Sequence, residues 1–232
     1  LEWLESRRLE FPPAIPWLLD LKSMDEWRAA RDEGRSGKPA TEVISQVRCL
    51  DDQLDRAALL QSTGYEPTEH FGYHLRRSLD VPIPPCGLPS GWTIRHVEES
   101  DFDRRVQVHR DAWFQSGFDL ERYLHVRSIA IFDPELDLVA VTPEGEFASY
   151  CIGWVDEGSG IGSFEPVGTA EAFTRQGIGR EVQFEGLRRM KAKGMRRAKI
   201  GTAGFNDPAY RMYCSCGFEL ADKNRTYIKK LN

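Results

Sequence analysis

The residues with the clearest chemical potential form the stretch 174–180, which reads Thr-Arg-Gln-Gly-Ile-Gly-Arg. A β-like run, 163–169, precedes it, and a segment with helical periodicity, 181–193, follows it. Glycines at a strand-to-helix junction permit unusual backbone angles and the close approach of another molecule. Because the first N–H groups of a helix lack internal partners and lie at the positive end of its dipole, such a junction can bind phosphate. The spacing fits neither the dinucleotide fingerprint nor the P-loop, and a glycine-rich turn without a ligand is the alternative.

A second motif follows the next predicted strand, 197–202. Asn206, Ala209 and Tyr213 are followed by Gly217 and Phe218. With the loop, this order resembles the GNAT acetyltransferase superfamily, whose loop reads Gln/Arg-x-x-Gly-x-Gly/Ala and whose next motif reads Asn-x-x-Ala-x-x-x-Tyr before Gly-Phe. The chain departs from the pattern at the first loop position, which is Thr174, although Arg175 and Gln176 stand beside it. The resemblance is specific from about residue 163 onward and weaker for 91–162.

The resemblance implies acetyl-CoA as the cofactor. The loop would give N–H groups to its pyrophosphate, and the edge of the preceding strand would pair with the amides of its pantetheine arm. Asn206 would orient that arm or cap the following helix; the two roles are compatible. The expected cofactor-binding residues are Val167, Gly168, Thr169, Arg175, Gln176, Gly177, Ile178, Gly179, Arg180 and Asn206.

Acyl transfer to an amine needs a neutral amine and protonation of the departing thiolate. By resemblance, Tyr213 is the expected general acid, with packing against the sheet as the alternative. Glu165 is a candidate base, directly or through water, or else a structural or solvent-facing carboxylate. Pro166 and Gly168 weaken a regular ladder and so suit the strand splay that the family uses to admit the thioester. His109 and His125 are weaker candidates for the base.

Composition restricts the class of protein. The 232 residues carry a net charge of -5, which argues against a general nucleic-acid binder. No apolar run approaches the ~20 residues of a membrane span. Five cysteines without a secretory signal favour reduced thiols in the cytoplasm, and Cys214 and Cys216 are too close and too short of partner ligands for a zinc site. The first residue, Leu1, fits a start within a longer gene product.

The pattern of elements predicts an α/β (α+β) protein with a mixed sheet and helices on both faces, as in the GNAT fold. Residues 23–33 should begin a helix at a capping box, and strands are expected at 41–49 and 71–75. Four prolines make 81–91 an extended linker. The predicted domains are a partial, degenerate GNAT-like domain (1–80), this linker and a catalytic domain (92–232).

The first domain is inferred from a weak repeat. Placing Gly64 on Gly217 gives an offset of 153 residues (217 − 64) and pairs two helix-loop-strand units. In this register Leu60 stands where the second copy has Tyr213, and Gln53 stands where it has Asn206. A relative with these residues has lost the cofactor chemistry. We therefore expect residues 1–80 to serve packing or oligomerisation, which leaves a homodimer open.

These observations predict a cytoplasmic acetyl-CoA-dependent N-acetyltransferase, with Tyr213 as general acid and a primary amine of a small molecule as acceptor. Neither a nucleic acid nor a membrane is an expected partner. Two alternatives stay open. One is a non-catalytic sensor that binds acyl-CoA, and the other is a tandem acyltransferase resembling the mycothiol synthases.

Overall fold

The computed structural model describes residues 43–113 and 116–231, together with Glu26 and Ala29. Apart from those two residues, the helix predicted at 23–33 lies outside the described residues. The described part forms eight strands and five α-helices. The strands are β1 (Val43–Leu50), β2 (Glu66–Ser78), β3 (Thr93–His96), β4 (Asp137–Val141), β5 (Phe147–Asp156), β6 (Ile161–Thr169), β7 (Arg197–Ala203) and β8 (Glu219–Leu231). The helices are α1 (Leu54–Ser62), α2 (Phe102–Ala112), α3 (Leu120–Arg127), α4 (Ile178–Ala192) and α5 (Asp207–Ser215).

The order of elements agrees with the predicted mixed α/β fold. One clear difference is the length of β2, which has 13 residues and begins at Glu66 rather than at Phe71. Its first residues are mostly polar and exposed, so no apolar alternation marked them as a strand. Helix α4 begins three residues before the predicted start because Gly177 forms its N-cap.

Contacts divide the chain into two compact units. Unit 2 comprises residues 75–200 and 211–219. Its strands follow the order β7-β6-β5-β4-β3, in which β6 and β7 are parallel and the other neighbours are antiparallel. A Cβ built on Gly186 of α4 would lie 3.6 Å from the sulfur of Cys151, whereas the Arg105 guanidinium of α2 covers the ring of Tyr150. Since successive strand residues point to opposite faces, α2 and α4 pack on opposite sides of these strands.

Unit 1 comprises residues 1–74, 201–210 and 220–232. In it β8 lies between β1 and β2, and the end of β7 follows β2. The β1–β8 pair is antiparallel and runs without a break from Val43↔Leu231 to Leu50↔Asn224. Helix α1 contributes the buried Leu60 to a small apolar cluster with Cys49, Tyr65 and Tyr227.

Candidate functional site

The loop between β6 and α4 contains two residues in the left-handed backbone conformation. Arg175 has a φ of 60° and Gly177 a φ of 81°. A left-handed conformation costs a residue with a side chain about 1–2 kcal/mol, so glycine at position 177 avoids a cost that Arg175 carries. The amide of Gln176 donates to the Ala172 carbonyl at 3.0 Å. Its side chain is therefore occupied, and residues 174–177 are exposed just before the unpaired first N–H groups of α4.

Gly177 and Gly179 of the loop differ in how much space surrounds them. A Cβ on Gly179 would lie 2.8 Å from Oγ1 of Thr169, so a side chain there would push α4 away from the end of β6. Oγ1 of Thr169 is hydrogen-bonded to Oγ of Ser149, which donates to the Gly168 carbonyl at 2.8 Å. At Gly177, by contrast, the nearest atom to an added Cβ is Nη2 of Arg180 at 3.8 Å. The space over Gly177 is open, and the space over Gly179 is filled by strand β6.

Strands β6 and β7 pair over only part of their length. Their parallel pairing runs from Ile161↔Arg197 to Ser163↔Lys199, although β6 continues to Thr169. On its other side β6 pairs with β5, with an irregularity between Cys151 and Gly153. The edge of residues 164–169 that faces β7 is consequently left out of the parallel ladder. The parallel pairing therefore ends before the run that contains Pro166 and Gly168, the residues that suit a weakened ladder.

Tyr213 of α5 is buried and has the chemistry of a proton donor. Burial raises the pKa of its phenol well above the ordinary range, and negative charge on Cys216, Cys151, Tyr150 and Glu165 would raise it further. Its hydroxyl forms no hydrogen bond with any described residue. Its ring packs against Phe218 at 6.4 Å between centroids. The phenol thus stays protonated at neutral pH and keeps its proton available.

Glu165 lies on β6, two residues beyond the last residue paired with β7. Its side chain is exposed, and its carboxylate has no ion pair or hydrogen bond within the described part of the chain. Its backbone carbonyl accepts from the indole N–H of Trp154 at 2.6 Å. Negative charge on this carboxylate would raise the pKa of the Tyr213 phenol, though less than burial of the phenol does.

Asn206 belongs to unit 1, and its observed role is structural. Its side-chain oxygen accepts from the N–H of Ala209 at 3.2 Å, so it caps α5. Asn206 thus performs the capping role that the sequence offered as one of two compatible roles.

Sequence reasoning missed a buried polar network on the α2 face of the unit 2 strands. Arg105 is fully buried, and its Nε donates to Asp137 at 2.9 Å. The other carboxylate oxygen of Asp137 accepts from the Tyr123 hydroxyl at 2.6 Å. The Arg105 guanidinium also covers the Tyr150 ring at 3.8 Å. One sequence feature could have revealed this network: an arginine stands next to Val106 on the apolar face of a predicted helix, where a charge needs a buried partner.

His109 extends this network and is not free to act as a base. Its Nδ1 lies 2.7 Å from the Tyr150 hydroxyl and its Nε2 lies 2.9 Å from Oγ of Ser116. Burial, together with the charges of Arg105 and Arg110, lowers its pKa to about 4. The ring is therefore neutral at pH 7, with both nitrogens engaged. Its weaker rank as a candidate base agrees with this geometry.

Two kinds of feature are absent from the described residues. They contain no group of three or more His, Cys, Asp or Glu side chains arranged to hold a metal ion. None of the helices among them is long and apolar enough to cross a membrane.

Comparison with known families decides the general class of the protein. Residues 97–218, more than half of the chain, match the acetyltransferase (GNAT) family. The chain belongs to the GNAT family. This family indicates an acyltransferase, and its members generally use acetyl-CoA. The match covers β4 to β6, the loop, α4 and Tyr213.

The curated relatives have low sequence identity to this chain and are longer than it is. A mycothiol acetyltransferase from Nocardioides sp. is 24% identical over 185 residues, which are 72% of this chain and 62% of the relative. A mycothiol acetyltransferase from Corynebacterium aurimucosum is 28% identical over 176 residues, covering 68% and 57% of the two chains. The chain thus spans about three fifths of the length of the relatives it matches.

Solved structures share the fold. A GCN5-related N-acetyltransferase from Sphaerobacter thermophilus has a TM-score of 0.71 at 22% identity, covering 89% of this chain and 65% of its own. A tandem GNAT protein from the clavulanic acid biosynthesis pathway has a TM-score of 0.64 at 14% identity, covering 89% and 69%. These likenesses show the GNAT fold for the described elements.

Proposed function

We propose that the chain is an acetyl-CoA-dependent N-acetyltransferase that acetylates a primary amine of a small molecule. The observation that carries the proposal is the loop with left-handed Arg175 and Gly177, which opens α4 beside the edge of β6 that is not paired with β7. Such an arrangement offers unpaired N–H groups to an anion and an unpaired strand edge to an amide-rich arm. The two features lie in one unit of a GNAT-family chain.

The residues at this place fit acetyl-CoA. Open space over Gly177 and the nearby Arg180 guanidinium suit a pyrophosphate, because backbone N–H groups and a positive charge face the same region. Along β6, Val167, Gly168 and Thr169 present the edge that would pair with the pantetheine amides. Bound acetyl-CoA would supply the acetyl group as a thioester. Capping of α5 accounts for Asn206, so its contact with the cofactor rests on the family resemblance alone.

Tyr213 and Glu165 are the proposed acid–base groups. The Tyr213 hydroxyl would hold a proton at the position of the departing sulfur, where its raised pKa keeps it protonated until the thiolate forms. Glu165 would take the proton from the acceptor amine, directly or through water, since its carboxylate is exposed and unpaired within the described residues. Both groups belong to unit 2.

Candidate substrate chemistry comes from the curated relatives. Both carry the name mycothiol acetyltransferase, and this favours a related tandem acyltransferase as a second candidate function. Residues 1–80 would then be a degenerate GNAT-like domain that serves packing or a homodimer.

A cytoplasmic location is supported by the five cysteines, all of which are free. A sensor that binds acyl-CoA without catalysis stays the alternative from another class.

The test combines binding with turnover. Gly177→Asp should weaken CoA binding by at least ~1.4 kcal/mol, about tenfold, in calorimetry, because a negative charge would stand where phosphate should lie. Gly177→Asn is the matched control, since asparagine has the same shape, tolerates a left-handed φ and carries no charge. Equal affinity of the two folded variants would remove the loop from the site. A panel of amines, offered with acetyl-CoA, then separates an enzyme from a sensor: tight CoA binding without transfer to any amine supports the sensor.

A further inference from the structure

The proline-rich linker, residues 81–91, lies along helix α4 instead of hanging free between domains. Arg77, at the end of β2, is almost fully buried and donates to the Pro82 carbonyl at 2.9 Å. Arg188 of α4 donates to the Pro84 carbonyl. The N–H of Gly87 then donates to the Glu181 carboxylate at 2.8 Å. All six residues that form these three hydrogen bonds belong to unit 2.

The spacing of these contacts fits an extended strand running beside a helix. From Arg188 back to Glu181 is seven residues, which span about 10.5 Å of helix axis at 1.5 Å per residue. From Pro84 to Gly87 is three residues, which span roughly 10–11 Å when extended. The linker therefore runs antiparallel to α4 and reaches its first turn at Gly87. Its prolines favour this extended form before any contact is made.

Glu181 connects the linker to the phosphate-binding loop. It is 4% exposed, and the carboxylate that accepts from Gly87 also contacts Arg180, with Nη2 of the guanidinium at 3.4 Å. The same Nη2 lies 3.8 Å from where a Cβ would be on Gly177. A carboxylate in the first turn of a helix would repel an anion bound at the helix end. Held by Gly87 and Arg180, this carboxylate is turned into the protein and the guanidinium is turned toward the loop.

We propose that the linker is part of the cofactor site, in which the Gly87 N–H positions Arg180 through Glu181 so that its guanidinium faces the diphosphate of a CoA-type ligand. This inference rests on the proposed function, because it assigns a positioning role toward that ligand. Gly87 and Glu181 are positioning residues, and Arg180 is the group that contacts the diphosphate. The linker, whose sequence resembles a spacer, thereby holds the Glu181 carboxylate away from the loop and the Arg180 guanidinium toward it.

The experiment removes one N–H group. Gly87→Pro deletes the donor, and Gly87→Ala is its control, because it keeps the N–H and places a Cβ 3.4 Å from Glu181. Hydrogen bonds to charged groups are worth enough that we expect Gly87→Pro to weaken CoA binding about tenfold in calorimetry. Gly87→Ala should stay within about twofold of the original affinity.

A double-mutant cycle separates positioning from general damage to the fold. In an Arg180→Gln background, Gly87→Pro should have almost no further effect on the CoA dissociation constant, because the residue it positions is gone. An unchanged tenfold effect in that background would overturn the inference, as would equal affinities of Gly87→Pro and Gly87→Ala. If the unaltered chain binds no CoA, the proposed function fails. If it binds CoA with the expected sensitivity to Gly177→Asp but shows no coupling between Gly87 and Arg180, only the linker's role fails.

Discussion

Two stretches of the chain, 43–78 and 197–231, fold into the same strand–helix–strand order. The offset of 153 residues (217 − 64) places α1 on α5 and β2 on β8 from first residue to last. The helix ends agree in detail. Gly64 and Gly217 both adopt left-handed angles, with φ of 87° and 81°. The next N–H in each copy bonds back to the same helical position, Tyr65 to Leu60 at 3.0 Å and Phe218 to Tyr213 at 3.1 Å.

The copies differ at the side chains that could carry chemistry. Leu60 and Tyr213 are equally buried, at 6% exposure, yet only the second has a hydroxyl. Gln53 makes no side-chain cap for α1, whereas Asn206 caps α5. Because the first copy folds with leucine and without the cap, the helix–turn–strand unit requires neither tyrosine nor asparagine. The comparison favours a role for the Tyr213 hydroxyl other than folding.

The largest expected effect comes from removing the Tyr213 hydroxyl. Tyr213→Phe should lower the turnover number roughly 10²–10⁴-fold, the usual contribution of a general acid. CoA affinity should change less than about tenfold, because the hydroxyl matters mainly in the transition state. Steady-state kinetics with the best amine acceptor measures both.

The matched control for that prediction is Tyr65→Phe in the first copy. It deletes a buried hydroxyl bonded to Ser45 at 2.7 Å, and turnover should stay near the original value. Losing a hydroxyl there costs about 1 kcal/mol of stability. Near-normal turnover of Tyr213→Phe would make the two tyrosines alike and leave the acid role to water or substrate.

Alanine at the two helix-ending glycines tests how closely the copies agree. Both Gly64→Ala and Gly217→Ala place a side chain at positive φ and should lose about 1–2 kcal/mol of unfolding free energy. Gly217→Ala should lose more, because its Cβ would lie 2.9 Å from Nε of the buried Arg77. At Gly64 the nearest atom is a lysine carbon at 3.7 Å. Urea denaturation measures the difference, and a larger loss for Gly64→Ala contradicts this packing argument.

The helix caps should differ by a smaller amount. Asn206→Ala should cost about 1 kcal/mol of unfolding free energy, the usual worth of an N-cap. Gln53→Ala should cost close to nothing, because no side-chain cap bond is present there. Thermal unfolding of both variants measures this, and equal losses would show that Gln53 supports α1 in some other way.

The last prediction concerns the number of CoA molecules bound. Without a tyrosine at position 60 or a glycine pair opening a helix, the first copy should bind none, so calorimetry should give one equivalent per chain. Two equivalents of comparable affinity would refute the assignment of residues 1–80 as a domain without an active site.

Local pattern predicted most elements and the loop, but not the contacts between distant residues. Glycine spacing and helical periodicity located Gly177 and α4, because both signals lie within a few neighbouring residues. The pairing of Arg105 with Asp137 joins residues 32 positions apart, and the contact of Gly87 with Glu181 joins residues 94 positions apart. Hydrophobic periodicity carries no information about contacts between residues so far apart in the sequence. His109 could be ranked low from its type, although only the structure shows that both ring nitrogens are occupied.

The position of β8 between β1 and β2 has a consequence for how the chain is made. Strand β8 begins 141 residues after β2 ends (219 − 78), so β1 and β2 leave the ribosome long before the strand that joins them. At about 5–20 residues per second, the interval is on the order of ten seconds. During that time two strand edges lack their neighbour and are open to pairing with other chains. Unit 1 therefore completes its folding late, after most of unit 2 has been synthesised.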